Sequence, residues 1–301
     1  RRILTSLRRR QTLASILAID IGGTKLEAAL VDSTGAVLNR RRAPTAGLDA
    51  EALFDQLSEL VAPFVSEGGL TVCGVGSGGP MSAGGETVSP LNIPQWRNFP
   101  LRERLADLLK MPVAIDNDAK ALALGEGWRG AAVGYRNFLA MVVSTGVGGG
   151  LVVDGRLLDG DEGNAGHVGH VIVDPEGPPC ACGSRGCLEA MASGPAIARQ
   201  LGYPVEDAPA EVRRRTGQLV GRAVASVVNL LDLPLTVLAG SVALGFGDEF
   251  FDAAQEELSR HCGLDFTHGA RIVPAGLGSD GPLVGAAAVG WMSLGETVLS
   301  S

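Results

Sequence analysis

The sequence predicts an α/β protein of two related halves, with ligands held in the cleft between them. Three observations support this. Short apolar runs alternate with stretches of helical spacing along the chain. A pattern of strand, glycine turn and strand occurs twice, over 13–31 and again over 138–153. The 43 glycines, about twice the usual share, cluster between apolar runs, where backbone can meet a ligand. A chain of 301 residues that is 46% apolar is long enough for two domains.

Residues 13–20 form an apolar run ending on an acid, Gly22-Gly23-Thr24-Lys25 turns the chain, and 26–31 resumes a strand. Asp32-Ser33-Thr34-Gly35 then leads into a strand over 36–41, giving an antiparallel start. A helix is expected over 50–65 and a strand over 71–76. Glycine and proline dominate 76–100, predicting a long ordered loop anchored by Trp96. A short amphipathic helix follows over 101–109, then a strand over 113–115 and a helix over 118–127. The pattern restarts with a strand over 138–144, a glycine turn over 146–150 and a strand over 151–153. Residues 160–186 read as loop, 208–231 as mainly helix, 236–239 as strand, 250–262 as helix and 271–274 as strand. An Ala-rich helix closes the pattern from about 281 towards 294, its small residues permitting close packing.

A formal charge of -8 argues against a nucleic-acid-coating surface. The one basic cluster is Arg1, Arg2, Arg8, Arg9 and Arg10, before the first strand. No apolar run reaches the 18 residues of a membrane span and no targeting segment is evident, so the expected location is cytoplasmic. The chain opens on Arg rather than Met, which leaves room for an upstream segment. Five cysteines, three of them within eight residues, suit a metal better than a disulfide framework.

Asp20-Ile21-Gly22-Gly23-Thr24-Lys25 sets a carboxylate at a strand end beside a turn of exposed backbone N–H groups. Such a turn can receive ATP phosphates, with Thr24 and Lys25 as further donors and Asp20 holding magnesium through water. It is not a Walker loop, and alone it is also an ordinary tight turn. Ser144-Thr145-Gly146-Val147-Gly148-Gly149-Gly150 could cradle phosphate from the opposite side, through Thr145, Gly146 and Gly148. Two later turns, at Gly240-Ser241 and Gly276-Leu277-Gly278, are candidates for the nucleoside, though glycine turns there need no ligand.

Asp116-Asn117-Asp118 lies between a strand and a helix. An alcohol attacking a phosphate needs a carboxylate to take its proton, and Asp118, opening the helix, is the better candidate base. Asp116 is open to a structural reading, and the trio to a helix-capping one. His170, Cys180, Cys182 and Cys187 follow the spacing H-x9-C-x-C-x4-C, a closed ligand set for structural zinc with no open position for a catalytic water. Held by the metal, the loop could present His167 and Glu189 to sugar hydroxyls. Cys73 and Cys262 read as core residues, and Asp161 and Glu162 as a solvated face.

Together these motifs resemble the ROK family, named for repressor, open reading frame and kinase, from about Leu17 almost to the C-terminus. Asp20 to Lys25 looks like its first phosphate motif and Ser144 to Gly150 like its second. Gly163-Asn164-Ala165-Gly166-His167-Val168-Gly169-His170 with Cys180-Ala181-Cys182-Gly183-Ser184-Arg185-Gly186-Cys187-Leu188-Glu189 resembles its zinc and sugar signature. The resemblance implies a two-domain actin-like or hexokinase-like (ribonuclease H-like) fold closing over sugar and ATP, usually as dimers or tetramers. It implies Asp118 as base, Asn117 and Glu189 as sugar ligands, His170 as zinc ligand and sugar contact, and Gly79 and Asn92 near the sugar. The expected division is a basic extension over 1–15, a small domain over 16–118 rejoined by 284–301, and a large domain over 119–283.

The chain departs from the glucokinase-like pattern at His167, where the family usually has Glu; some N-acetylmannosamine kinase members look similar to it there. The usual late Gly-Gly pair is replaced by Gly240-Ser241. The expected activity is ATP-dependent phosphorylation of a hexose or N-acetylhexosamine at the 6-hydroxyl. The competing readings are a sugar-sensing regulator of the same family, which would need an upstream DNA-binding region, and a non-catalytic sugar-binding module.

Overall fold

A computed structural model of the chain describes residues 14–45, 47–67 and 69–300. The arginine cluster and Leu13 lie outside them. The described residues open with three strands, β1 (Ser15–Ile21), β2 (Lys25–Asp32) and β3 (Val37–Pro44), paired antiparallel in sequence as expected. Helix α1 (Ala50–Glu67) crosses to β4 (Cys73–Ser77), and α2 (Leu101–Leu109) crosses to β5 (Val113–Asn117). Both β4 and β5 run parallel to β1, which places the ends of β1, β4 and β5 along one sheet edge, the usual place for ligands in open α/β sheets.

Helix α3 (Asp118–Arg129) leads to the second half, β6 (Phe138–Val143), β7 (Val147–Val153) and β8 (Arg156–Leu157). Helices α4 (Leu188–Ala192), α5 (Gly194–Leu201) and α6 (Ala210–Leu231) precede β9 (Leu235–Ala239). The chain continues through α7 (Ser241–Phe246), α8 (Asp248–His261), β10 (Arg271–Pro274) and α9 (Gly281–Ser293). Two five-stranded sheets result, β3-β2-β1-β4-β5 and β8-β7-β6-β9-β10, with the same order and the same mixture of antiparallel and parallel pairs. The repeated strand, turn and strand of the sequence are the antiparallel hairpins of these two sheets.

Each sheet buries its own core. Leu53, Leu57 and Phe64 of α1 meet Ile19, Ile21 and Val75 on one side of the first sheet. Val220, Val224 and Leu258 from α6 and α8 meet Met141, Val143 and Leu238 of the second. Between the sheets lies a third core, where α3 and α9 pack together. The Ala-rich α9 lies against β1 and β4 so closely that a Cβ on Gly74 would come within 2.0 Å of the Ala286 carbonyl oxygen. Trp96 anchors the long loop as predicted: it is fully buried, stacks on Phe99 with centroids 4.5 Å apart, and donates from Nε1 to the Ala50 carbonyl.

One expectation is corrected. The glycine turn over 146–150 is largely strand, because β7 already begins at Val147. Gly150 serves packing: a Cβ there would stand 2.7 Å from the Ala123 Cβ and 2.8 Å from the Ala119 carbonyl oxygen. Bare backbone lets α3 lie directly on β7, which brings the start of α3 to the sheet edge. Cys73 and Cys262 are core residues, and no helix among the described residues is long and apolar enough to cross a membrane.

Candidate active site

Both hairpin turns open on one cleft of about 500 Å³ that lies between the sheets. Gly22, Gly23, Thr24 and Lys25 line one wall, and Thr145, Gly146 and Gly148 another. Gly79, Asn92, Asn117, Asp118, His167, His170 and Glu189 also line it. Residues from all over the sequence therefore share one space. Asp20 sits just beneath it: in register, Asp20 of β1, Gly76 of β4 and Asp116 of β5 lie side by side. A Cβ on Gly76 would be 3.8 Å from both Asp20 Oδ1 and the Asp118 Cα, so Asp20 and the start of α3 flank the same point of β4.

Asn117 and Asp118 form the junction of β5 and α3. The Asn117 side-chain oxygen caps the helix by accepting from the Ala119 amide at 3.0 Å, which directs its amide nitrogen towards Gly79. Asp118 is wetted through the cleft mouth but ringed by protein on its other sides. That enclosure raises its pKa, with the Ala119 amide and His167 opposing. Burial, reinforced by Asp118 and Glu27, pushes Asp20 up to about 7 against the pull of Lys25. Asp116 has the structural role left open above: it pairs with Lys120 at 2.8 Å, and burial holds its pKa up despite that partner.

The two turns are held differently from what sequence suggested. The Gly22 amide is engaged by the Lys25 carbonyl at 3.0 Å, so it is not a free donor. Lys25 is ion-paired with Glu27, a fully buried carboxylate of β2 that also takes Arg42. In the second turn Glu189, from the first turn of α4, accepts the Val147 amide at 2.8 Å. Gly240 and Gly278 stand apart from the cleft lining: Gly240 has φ +100° and backs onto Val143, while Ser241 beside it meets the Ser144 hydroxyl at 2.9 Å. Gly278 lies at the entry to α9, where buried Glu126 accepts the amides of Gly276 and Leu277.

His170, Cys180, Cys182 and Cys187 converge, with one ligand atom of each within 4.8 Å of all the others. Cys180 Sγ is 3.7 Å from His170 Nδ1, and Cys182 Sγ is 3.7 Å from Cys187 Sγ. Four ligands about 2.3 Å from a tetrahedral ion would lie about 3.8 Å apart, so donor set and spacing fit a closed metal site. Burial and the two neighbouring thiols push Cys187 up to about 11, an unfavourable gathering of thiols that a cation would reverse. His167 is not a member. Its Nδ1 lies 2.8 Å from the Asn164 carbonyl, which can only accept, so Nδ1 carries a proton and Nε2 is left for the cleft.

Sequence reading missed Glu27, Arg42 and Lys120. An acid inside an otherwise apolar strand and a lysine four residues after Asp116 were the available signals.

Two sheets of one strand order facing a shared cleft form the actin-like or hexokinase-like arrangement that the resemblance implied. The ROK family profile matches residues 16–291, and the chain belongs to that family. It is 36% identical over 293 residues to an N-acetylmannosamine kinase of Shigella flexneri, covering 89% of this chain and 99% of that one. It is 30% identical over 307 residues to a glucokinase of Thermotoga maritima, covering 91% and 96%. A ROK family glucokinase from Streptomyces griseus, solved in complex with glucose and AMPPNP, superposes with a TM-score of 0.82 at 29% identity, over 93% of this chain and 100% of that one.

Proposed function

We propose that this sugar kinase transfers the γ-phosphoryl group of Mg-ATP to the 6-hydroxyl of a hexose or N-acetylhexosamine, with N-acetylmannosamine the first candidate. The observation that carries the reading is that Asp118 opens into the same cleft as both hairpin turns and as His167, His170 and Glu189. The sugar lies against Asn117, His167, His170 and Glu189 with one hydroxyl at Asp118. Asp118 accepts that hydroxyl's proton as the oxygen attacks phosphorus in line, and the turns bind the phosphates. Bound magnesium, reached by Asp20 through water, would offset the phosphate charge.

Zinc is the metal that suits three thiols and one imidazole at this spacing. With Nδ1 of His170 turned to the thiols, its Nε2–H is a donor for the cleft, while His167, its Nδ1–H held by the Asn164 carbonyl, presents Nε2. The rings lie 6.1 Å apart and nearly parallel, so one sugar hydroxyl can be read by both. The likeness to an N-acetylmannosamine kinase over nearly that protein's whole length supports an N-acetylhexosamine. We further propose lobes over 16–118 with 284–301, and over 119–283; the packing of α9 on β1 and β4 supports this division.

The test is sugar-dependent ADP release by zinc-replete protein with glucose, mannose, N-acetylglucosamine and N-acetylmannosamine. N-acetylmannosamine is expected to give the highest kcat/KM. Asp118→Asn should lower kcat about a thousandfold while calorimetry still detects sugar binding. No turnover with any of the four, or equal loss of binding and turnover in the variant, would contradict the reading.

A further inference from the structure

Lys120 belongs to neither turn nor to the metal cluster, yet its side chain is only 3% exposed and its ammonium meets three acceptors. Asp116 Oδ1 lies at 2.8 Å, Asp159 Oδ1 at 2.6 Å and the Gly163 carbonyl at 3.3 Å. An ammonium has three N–H donors, so this one is fully occupied. Burial pulls its pKa down, but the two carboxylates outweigh that and it stays protonated. Asp116 belongs to β5, next to Asn117, and Lys120 lies in the first turn of the helix that Asp118 opens. Asp159 and Gly163 belong to the loop that leads to His167.

The loop transmits this attachment to His167. The Ala165 amide donates to the Asp159 carbonyl at 2.9 Å, closing residues 159–165 on themselves. Asn164 donates from its side chain to the Met81 and Glu162 carbonyls, and its own carbonyl takes the His167 Nδ1 proton at 2.8 Å. Gly166, at φ +102°, lies so close to β7 that a Cβ would approach the Gly149 oxygen to 2.0 Å. The path from Lys120 to His167 is therefore short and bonded throughout.

We infer that Lys120 is a positioning residue that ties the helix bearing Asp118 to the loop bearing His167, and so fixes the His167 tautomer and its place over the sugar. It touches neither substrate. The inference rests on the sugar-kinase reading for its effect on turnover, but its effect on the His167 ring does not depend on that reading.

The experiment uses full-length wild-type protein, Lys120→Met and Asp159→Asn, the latter altering an exposed carboxylate that a fold defect would not implicate. With four histidines in the sequence, ¹⁵N spectra of labelled protein assigned with His167→Ala resolve the His167 ring. Wild-type His167 should be the Nδ1–H tautomer, and both variants should shift towards the Nε2–H form that free imidazole favours in water. Sugar KM should rise about tenfold or more in Lys120→Met, with KM for ATP within about twofold. Adding Lys120→Met to His167→Ala should weaken sugar binding little further. An unchanged His167 tautomer in both variants overturns the inference whether or not the protein turns over sugar. So do additive losses in the double variant or an equal rise in KM for ATP. If the spectra shift as expected but none of the four sugars is phosphorylated, the proposed function fails and the positioning stands.

Discussion

The two hairpin turns that face each other across the cleft are alike in topology and opposite in construction. The first is self-contained: its hairpin is closed by Gly22 and Lys25, and its charge is balanced within β2 and β3 by Lys25, Glu27 and Arg42. The second carries no charge of its own. It is held by Glu189, which leaves the metal loop two residues after Cys187, and by the Ser144 hydroxyl against Ser241. One turn is thus stabilised by its own strands, and the other through a loop that contributes little apolar core. The pair teaches that the turn proposed for phosphate and the loop proposed for sugar can depend on the same support.

Removing the zinc proposed for the Cys/His cluster should break the symmetry most. Treatment with a strong zinc chelator, or Cys187→Ser, should abolish sugar-dependent turnover and sugar binding and lower Tm. Nucleotide binding, followed by calorimetry, should persist through the first turn. Loss of nucleotide and sugar binding in equal measure would show that the first turn is not self-contained. The supports themselves should differ next. Glu189→Ala strips the Val147 amide of its acceptor and should lower kcat/KM for both substrates about a hundredfold. Glu27→Gln, which loosens Lys25 and Arg42, should raise KM for ATP by about two- to tenfold and leave sugar KM unchanged. Steady-state kinetics with each substrate varied would reveal either pattern.

A separate difference, read in stability rather than in turnover, is a pH signature at the first turn. Asp20 is raised from 3.8 to about 7 in the folded protein, so the folded state holds its proton more tightly than the unfolded chain. Its stabilising contribution is complete below about 3.8 and is lost as pH rises through about 7. In magnesium-free buffer, the stability of Asp20→Asn relative to wild type should therefore increase between those pH values. Thr145→Ala, in the turn without a titratable group, should show no such trend. Urea titrations across the range would measure both, and parallel slopes would assign the pH dependence elsewhere.

Much of this architecture was legible in sequence because local chemistry wrote it there. Strand ends marked by Asp20 and Asp116, the helix that starts at Asp118 and the Cys-rich spacing each announce themselves within a few residues. The parts that escaped depend on distant neighbours. Gly146 to Gly150 looked like a turn because nothing in the sequence shows α3 lying on that strand, although the missing side chains of Gly148 and Gly150 are what admit it. Lys25 looked like a free phosphate donor because its partner Glu27 faces it only once β2 is formed. Lys120 looked like an ordinary helix residue because Asp159 and Gly163 reach it from another loop. Turn and ligand chemistry are local, whereas buried charge is satisfied by the fold.

The contact of α9 with β1 and β4 has a consequence for how the molecule is made. A chain emerging from the ribosome delivers β1 and β4 early, but the helix that covers Ile16, Ala18 and Gly74 emerges only after the whole second sheet has been synthesised. During that interval the first sheet has one face covered by α1 and the other exposed to solvent. The core on that face of the first sheet can therefore close only after the last helix has been made, through contacts of long sequence separation.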